Sequence, residues 1–269
     1  MQPALNVLLL RTPDSPDRYE DAFTAAGHAC ASVPVLETVF VNADALRDTI
    51  SRRADEYGAV VITSGRACEA WGSVVEQLEG SEAFASSWRT TPFYVVGKSS
   101  ASKLSEIQSA YPNSPLTPHD IRGADSGNGE QLAKFIVSDL PAFVAPLHYL
   151  TGDKNRDTLP DILHAAGLKT APLQVYETRG SSTFTEDLKR ALALPNPQWW
   201  IVFFAPSAAE FVSPFLREHF LLDGSEDAAK VAAIGPTTAN FLRDQLRLTV
   251  DAVAQKPTPE HLLRAIIDT

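Results

Sequence analysis

The chain has 269 residues, a formal net charge of −10, 44% apolar residues and only two cysteines. At about 150 residues per domain, this length predicts two domains with buried cores. The acidic charge balance argues against nucleic acid or an anionic membrane surface as the main partner, because both attract clustered lysine and arginine. Two cysteines without a C-x-x-C pattern exclude a disulfide scaffold and argue against a structural zinc site.

The apolar runs are too short for a transmembrane segment. The longest, Trp199–Ala205, has seven residues, whereas about 20 are needed to cross a bilayer. The first residues do not contain the basic and apolar regions of a signal peptide. The few cysteines are typical of a reducing compartment. We therefore expect a cytoplasmic protein without a membrane partner, and a monomer by default.

Short apolar runs alternate along the chain with amphipathic stretches, which predicts the α/β class. Runs that are apolar throughout are typical of parallel strands buried on both faces. Helical spacing of apolar residues predicts helices over Ala67–Leu78 and Ala208–Leu216, the second kinked or split by Pro214. The predicted strands are Asn6–Leu10, Ala29–Leu36, Ala59–Thr63, Phe93–Val96, Leu147–Leu150, Thr170–Thr178, Trp199–Phe204, Lys230–Ile234 and Leu248–Val253.

Four segments in the first half of the chain resemble four segments in the second half, in the same order. Residues 8–38 resemble 147–178, 60–70 resemble 202–211, 95–104 resemble 233–242, and 127–136 resemble 257–266. Unrelated strand–turn–helix units also look alike, but four matching pairs favour a duplication. The sequence therefore predicts two similar α/β domains with a cleft between them.

Most predicted strands are followed by a turn rich in glycine, serine, threonine or proline. Such turns point backbone N–H groups and helix N-termini outward at the carboxyl edge of a sheet, where ligands of α/β proteins bind. Each turn is able to hold an anion, or its hydroxyl group simply caps the next helix. The turns are Arg11-Thr12-Pro13, Thr63-Ser64-Gly65-Arg66, Gly97-Lys98-Ser99-Ser100, Gly127-Asn128-Gly129, Thr151-Gly152-Asp153, Ala205-Pro206-Ser207, Gly235-Pro236-Thr237-Thr238 and Lys256-Pro257-Thr258.

Three other side chains have a possible chemical role. Tyr176 follows a proline by four residues and precedes Glu-Thr, where its phenol either donates a proton in the cleft or packs between domains. Lys154 and Arg156 either pair with a ligand carboxylate or are solvated charges. The chain has no complete P-loop, dinucleotide-binding, metal-binding or G-x-S-x-G motif, so the sequence indicates no metal and no cofactor.

Eight segments together resemble the uroporphyrinogen-III synthase family of tetrapyrrole biosynthesis. The most specific is I-G-P-T-T-A, which ends at Ala239 and is followed later by P-T-P. The segments lie in the family's order along nearly the whole chain: Ile62–Ala67, Tyr94–Ala101, Gly127–Leu132, Gly152–Arg156 with Leu159-Pro160, Val175–Thr178, Phe203–Ser207, Ala233–Ala239 and Pro257–Glu260.

The resemblance implies an α/β fold of two similar parallel-sheet domains, flavodoxin-like and of the HemD type. It implies that a two-strand connection joins them and that a cleft lies between them. It also implies that one domain is discontinuous, with residues 1–36 plus 178–269 in one domain and 37–177 in an inserted second domain.

The resemblance further implies a lyase that cyclises and dehydrates hydroxymethylbilane, a linear tetrapyrrole, with inversion of ring D to give uroporphyrinogen III. It implies Tyr176 as the acid and domain closure that keeps water from a cationic intermediate. No cofactor is implied, and the only protein partner is the preceding deaminase, in a transient hand-over of substrate. The substrate-binding residues would be Arg11, Thr63, Ser64, Arg66, Gly97, Lys98, Ser99, Ser100, Gly127, Asn128, Gly152, Lys154, Arg156, Pro206, Ser207, Ala208, Gly235, Pro236, Thr237 and Thr238.

Two other classes of function are compatible with the same pattern. A non-catalytic two-domain protein that binds a small polycarboxylate or tetrapyrrole would use the same turns. A flavodoxin-type electron carrier is disfavoured, because the chain is duplicated and shows no clear phosphate-binding loop.

Overall fold

A computed structural model of the chain describes residues 3–80, 87–141 and 144–269. Within these ranges the chain forms, in order, β1 (Asn6–Leu10), α1 (Arg18–Ala25), β2 (Ala29–Ser32), β3 (Leu36–Phe40), α2 (Ala43–Arg52), a short 3₁₀ helix (Ala54–Glu56), β4 (Ala59–Ile62), α3 (Gly65–Leu78), β5 (Pro92–Val95), α4 (Gly97–Ala110), β6 (Asp120–Arg122), α5 (Gly129–Asp139), β7 (Leu147–Thr151), α6 (Thr158–Ala165), β8 (Thr170–Gln174), β9 (Tyr176–Gly180), α7 (Phe184–Ala191), β10 (Trp199–Phe203), α8 (Pro206–Leu216), β11 (Lys230–Ala233), α9 (Pro236–Asp244), β12 (Ala252–Val253) and α10 (Pro259–Ile267).

The chain divides into two compact units, each built on a parallel sheet of five strands. Unit 1 comprises Met1–Glu37 and Arg179–Thr269, and unit 2 comprises Thr38–Thr178. The strand order is β12-β11-β10-β1-β2 in unit 1 and β6-β5-β4-β7-β8 in unit 2. Strands β3 and β9 pair as a separate two-stranded sheet where the chain passes from one unit to the other. The predicted α/β class with two parallel sheets and a two-strand connection is therefore confirmed.

The two sheets have the same spatial order but are traversed differently. β1 and β2 correspond to β7 and β8, while β10, β11 and β12 correspond to β4, β5 and β6. These are the pairs that the repeated segments indicate. Numbered within unit 1, the order is the flavodoxin-like 2-1-3-4-5. In unit 2 the three strands of the second group come first along the chain, so its connectivity is permuted.

Both sheets are covered by helices on both faces, which explains the uninterrupted apolar strands. β1, β4 and β7 are buried along their whole length. Because successive side chains alternate between faces, each sheet contributes to two cores. In unit 2, Val60 and Ile62 pack with Trp71 on one face, while Val61 and Tyr149 belong to the core on the other.

Two predicted strands are wrong in extent. The strand predicted over Ala29–Leu36 ends at Ser32, and the chain forms β3 only after Pro34, which has no N–H to continue the ladder. The strand predicted over Thr170–Thr178 is interrupted at Val175, where β8 ends before β9 begins. In both places the chain leaves a five-stranded sheet for the two-stranded connection.

Two further expectations need correction, and one strand was not predicted. The strand predicted over Leu248–Val253 is reduced to the two residues of β12, and the polar strand β6 was not predicted. Of the two outcomes expected at Pro214, a kink or a split of the helix, the split is wrong, because α8 continues through Pro214 to Leu216. Pro214 has no N–H to donate to the carbonyl of Glu210 one turn earlier, and Glu210 is an exposed residue.

Candidate active site

The point where the strand order reverses marks the ligand crevice of each parallel sheet. In unit 1 the connections after β10 and β1 leave in opposite directions, and in unit 2 those after β4 and β7 do so. Open α/β sheets bind ligands at the carboxyl ends of such strand pairs. The segments that begin at Ala205, Arg11, Thr63 and Gly152 therefore lie at the two switch points.

Three of the helices at these carboxyl edges begin at an N-cap residue whose side chain is unable to cap the helix. The N-cap residues of α4, α8 and α9 are Val96, Ala205 and Gly235, whose side chains carry no hydrogen-bond acceptor. The first backbone N–H groups of these helices are consequently left to solvent or a ligand; in α8 and α9 they begin at Ser207 and Thr237, because Pro206 and Pro236 have no N–H. Gly97, which opens α4, has φ +77°, a left-handed conformation that glycine adopts without strain. These three termini fit the anion-binding interpretation.

Three other predicted turns cap their own helices, one of them through Thr258, whose hydroxyl oxygen accepts the N–H of His261 at the start of α10. Ser64 Oγ accepts the N–H of Arg66 at 3.1 Å at the start of α3. Asn128 Oδ1 accepts the N–H of Gln131 at 2.9 Å, and the side chain of Gln131 accepts the N–H of Gly127 at 2.7 Å. The structure thus gives Ser64, Gly127 and Asn128 the capping arrangement that was the alternative to anion binding.

Arg11, at the switch point of unit 1, is held by neighbouring side chains. Its guanidinium pairs with Asp14 at 2.8 Å and with Asp17, and it lies 5.1 Å above the ring of Tyr19 and 5.5 Å from that of Phe204. Its positive charge is therefore already partnered, while it ties the segment after β1 to the segment after β10.

The carboxylate of Asp17 organises this segment. It accepts the N–H groups of Tyr19 and Glu20, each at 3.0 Å, and that of Asp14 at 2.8 Å. Burial alone would raise the pKa of Asp17, but the N–H groups of Glu20 and Asp14 and the guanidinium of Arg11 outweigh it and hold the pKa below its usual value. Asp17 therefore stays ionised and remains the ion-pair partner of Arg11.

At the switch point of unit 2, the Tyr176 side chain lies against the backbone of Gly152. A Cβ atom built on Gly152 would fall 2.4 Å from Tyr176 Cζ and 2.7 Å from its hydroxyl oxygen. Tyr176 is half-buried and lies just beyond the carboxyl ends of β7 and β8. The phenol is thus at the edge of the sheet where the fold places ligands.

A second phenol, Tyr149, lies close to this point. Its side chain is 4% exposed. Burial raises the pKa of Tyr149, a hydrogen bond with the Thr63 side chain opposes this, and the nearby Tyr176 adds to it. The structure therefore brings together Thr63, Gly152 and Tyr176 of the predicted set, and adds Tyr149, which the sequence pattern does not single out because it lies inside an apolar strand.

The predicted cationic residues differ in how free they are. Arg66 pairs with Glu69 at 2.9 Å, and Lys98 lies 3.9 Å from Asp125 with its side chain 86% exposed. Lys154 and Arg156 are exposed in the loop between β7 and α6. The side chains of Lys154 and Arg156 are therefore accessible to a substrate carboxylate.

The remaining predicted residues divide between exposed and buried positions. Ser99, Pro236 and Thr237 are exposed, Pro206 and Ser207 are half-buried, and Ser100, Ala208 and Thr238 are buried. The buried hydroxyl groups belong to the first turns of their helices and are less accessible to a ligand than Ser99 and Thr237.

A cavity of about 710 Å³ in unit 1 lies away from this site. Trp199, Trp200 and Lys230 line it at the amino ends of β10 and β11, opposite the carboxyl edge. In the parts of the chain that the structure describes, no cluster of His, Cys, Asp and Glu could hold a metal ion. Nor does any helix within those parts have the length and apolar character needed to cross a membrane.

The chain matches known proteins over nearly its whole length. A family model described as uroporphyrinogen-III synthase HemD matches residues 17–264. The uroporphyrinogen-III synthases of Saccharomyces cerevisiae and Schizosaccharomyces pombe are 30% and 28% identical to it, each alignment covering 97% of this chain and 95% of the relative.

Solved structures agree on the fold. The uroporphyrinogen-III synthetase of Helicobacter pylori aligns with a TM-score of 0.53 at 16% identity over 99% of both chains. A mutant uroporphyrinogen III synthase from the extremely thermophilic bacterium Thermus thermophilus aligns with a TM-score of 0.50 at 18% identity, covering 98% of this chain and 99% of that one. On the family match and the yeast relatives, the chain belongs to the uroporphyrinogen-III synthase family and is an enzyme of the lyase class.

Proposed function

We propose that the chain converts hydroxymethylbilane to uroporphyrinogen III, using the carboxyl edges of its two sheets to hold the substrate. Membership of the synthase family supports this reaction. The structural observation that carries the proposal is the placement of Tyr176 against Gly152 at a switch point, with uncapped helix N-termini at the same kind of edge in each unit.

The substrate carries several carboxylates, and the uncapped N-termini of α4, α8 and α9 supply donors for them. Each carboxylate at a helix N-terminus is stabilised by about 0.3–1 kcal/mol when exposed, so several contacts are needed for firm binding. Ser99, Ser207 and Thr237 add hydroxyl groups at these ends, and Lys154 and Arg156 add positive charge. The net charge of −10 does not oppose this, because local potential decides binding.

The reaction begins with loss of the substrate's hydroxyl group. In our proposal the Tyr176 phenol donates its proton to the departing oxygen as the carbon–oxygen bond breaks, releasing water and leaving an azafulvene cation. Ring D then attacks through its substituted carbon to form a spiro intermediate, which fragments and recloses with ring D inverted. The phenolate of Tyr176 recovers a proton when the pyrrole system loses one.

Control of geometry decides which isomer forms. Without the enzyme, hydroxymethylbilane closes without inversion to the type I isomer, so the protein must favour attack by the substituted carbon of ring D. Holding reacting groups in the productive arrangement accounts for large rate effects without any reactive cofactor. We therefore assign the binding groups at the sheet edges to orientation and Tyr176 to proton donation.

The finer expectations on context belong to the same proposal. We infer a cytoplasmic enzyme that acts on its small-molecule substrate after a transient hand-over from the deaminase that produces it. A non-catalytic binding protein is not favoured, because the relatives are named as synthases.

The substitution Tyr176→Phe tests the proposed acid. Loss of a general acid slows turnover by about 10²-fold or more with little change in KM, measured by coupled supply of hydroxymethylbilane and separation of the oxidised porphyrin isomers. Tyr111→Phe, which removes a half-buried phenol at the end of α4, is the matched control and should leave turnover unchanged. Turnover in Tyr176→Phe equal to that of the parent chain would remove Tyr176 from the mechanism.

A further inference from the structure

The loop that follows β7 is closed by its own hydrogen bonds. The Gly152 N–H donates to Asn155 Oδ1 at 3.2 Å, and Asn155 Nδ2 donates to the Gly152 carbonyl at 2.6 Å. One side chain therefore engages both backbone polar groups of Gly152. Because Asn155 occupies the Gly152 N–H, that group is not available to a substrate carboxylate, so Gly152 has a role other than anion binding.

Gly152 is also the surface on which Tyr176 rests. A Cβ atom at this position would lie 2.4 Å from Tyr176 Cζ, 2.6 Å from Cε2 and 2.7 Å from the hydroxyl oxygen. No real Cβ makes contacts this short. The phenol occupies its present position only because residue 152 has no side chain.

The chain on both sides of Tyr176 is fixed to the same region. The Val175 N–H donates to the Thr151 carbonyl at 2.9 Å, and the Thr178 N–H donates to Asp153 Oδ1 at 3.2 Å. Loop and strand are thus joined on either side of the phenol, and Asn155 sets the position of the glycine between them.

We propose that Gly152 and Asn155 are positioning residues that fix the phenol of Tyr176 for proton donation. This inference rests on the proposed function, in which Tyr176 is the acid. Asn155 orients the Gly152 backbone, and the bare Cα of Gly152 sets the depth and direction of the phenol. Gly152 and Asn155 act on the rate of the chemical step, whereas Lys154 and Arg156 of the same loop are the side chains that face substrate carboxylates.

The geometry gives the size of the effect. In Gly152→Ala the ring must move by about 1 Å before its contact with the new Cβ reaches the ordinary range of 3.4–4 Å. A displacement of about 1 Å in a reacting group costs about 10²-fold in rate. We expect kcat to fall by about that factor with KM nearly unchanged, whereas loss of a carboxylate-binding nest would raise KM.

Asn155→Ala is the milder test, because Asn155 is exposed and its removal introduces no clash. We expect kcat to fall by about 10-fold, with KM and the thermal midpoint close to those of the parent chain. Asn113→Ala, at an exposed site of the same unit, is the matched control. In the double variant Tyr176→Phe with Asn155→Ala, kcat should equal that of Tyr176→Phe alone, since both changes remove one effect.

A spectroscopic readout separates this inference from the proposed function. With 3-fluorotyrosine incorporated, the ¹⁹F resonance that disappears in Tyr176→Phe reports the phenol, and it should shift or broaden in Gly152→Ala and Asn155→Ala but not in Asn113→Ala. An unmoved resonance, or parental kcat in both loop variants while Tyr176→Phe is slow, would overturn the positioning role. If Tyr176→Phe retains full turnover, the proposed acid fails and the resonance alone decides whether the loop positions the ring.

Discussion

The buried imidazole of His148 predicts a defined dependence of stability on pH. His148 is 2% exposed in β7, and its ring centroid lies 4.6 Å from that of Tyr57. Burial lowers the pKa of His148 to about 4 from its ordinary value of 6.5, and the backbone of Ala171 in β8 opposes the shift in part. The folded chain therefore keeps this ring neutral at pH values where an exposed ring is charged.

The sign and size of the effect follow from linkage. Between pH 6.5 and about 4, the unfolded chain binds a proton at His148 that the folded chain excludes, so the free energy of unfolding decreases as the pH falls. Each pKa unit is worth about 1.4 kcal/mol, which makes the full loss about 3 kcal/mol by pH 4. Above pH 6.5 the contribution of His148 is constant.

Urea unfolding of the parent chain and His148→Leu at pH values from 7 to 4.5 measures this effect. Leucine has a similar volume and no proton to bind, so the stability of the parent chain should fall by about 2–3 kcal/mol more than that of the variant over this range. The exposed His219→Gln variant should follow the parent chain. If the curves of the parent chain and His148→Leu run parallel, the depressed pKa of His148 is refuted.

Three further substitutions test the packing and capping described above by urea unfolding. Gly123→Ala should destabilise the chain by about 1–3 kcal/mol more than Gly27→Ala does. Both glycines have φ +84°, but only a Cβ at position 123 would meet other atoms, the nearest at 2.5 Å. Equal losses of stability in the two variants would show that backbone strain alone matters. Trp71→Ala should cost about 3–5 kcal/mol, since Trp71 is fully buried, and a loss below 1 kcal/mol would contradict its place in the core. Asp17→Ala should cost about 1–2 kcal/mol through loss of the α1 N-cap and the partner of Arg11, and unchanged stability would contradict that role.

The sequence predicts the sheets well wherever strands are apolar throughout. Asn6–Leu10 is predicted with the bounds that the structure has. The sequence does not predict a strand that forms through pairing with a neighbouring strand and not through its own apolar residues. Asp120–Arg122 is such a strand: it is short and mostly polar, and it pairs with Pro92–Val95 beside it. The ends of Ala29–Leu36 and Thr170–Thr178 were misjudged because β-propensity does not tell which sheet a residue joins.

The site shows a similar division. The succession of strand, turn and helix in the sequence predicts which turns lie at the carboxyl edges of the sheets. It does not distinguish turns that cap their helix, as at Ser64, from turns that leave backbone N–H groups free, as at Gly235. Two contacts of the site were beyond sequence patterns: the pairing of Arg11 with Asp17, and the approach of Tyr176 to Gly152. Neither pair is separated by a spacing that would place both residues on one face of a helix or strand, so only the three-dimensional structure shows that they meet.

The most direct test of the proposed synthase activity is to identify the isomer that the unmodified chain produces. Freshly generated hydroxymethylbilane is supplied to the protein, the products are oxidised, and the type I and type III porphyrins are separated. We expect predominantly type III product, formed faster than type I appears in a blank without protein. Type I product alone, at the blank rate, would contradict the proposed synthase activity.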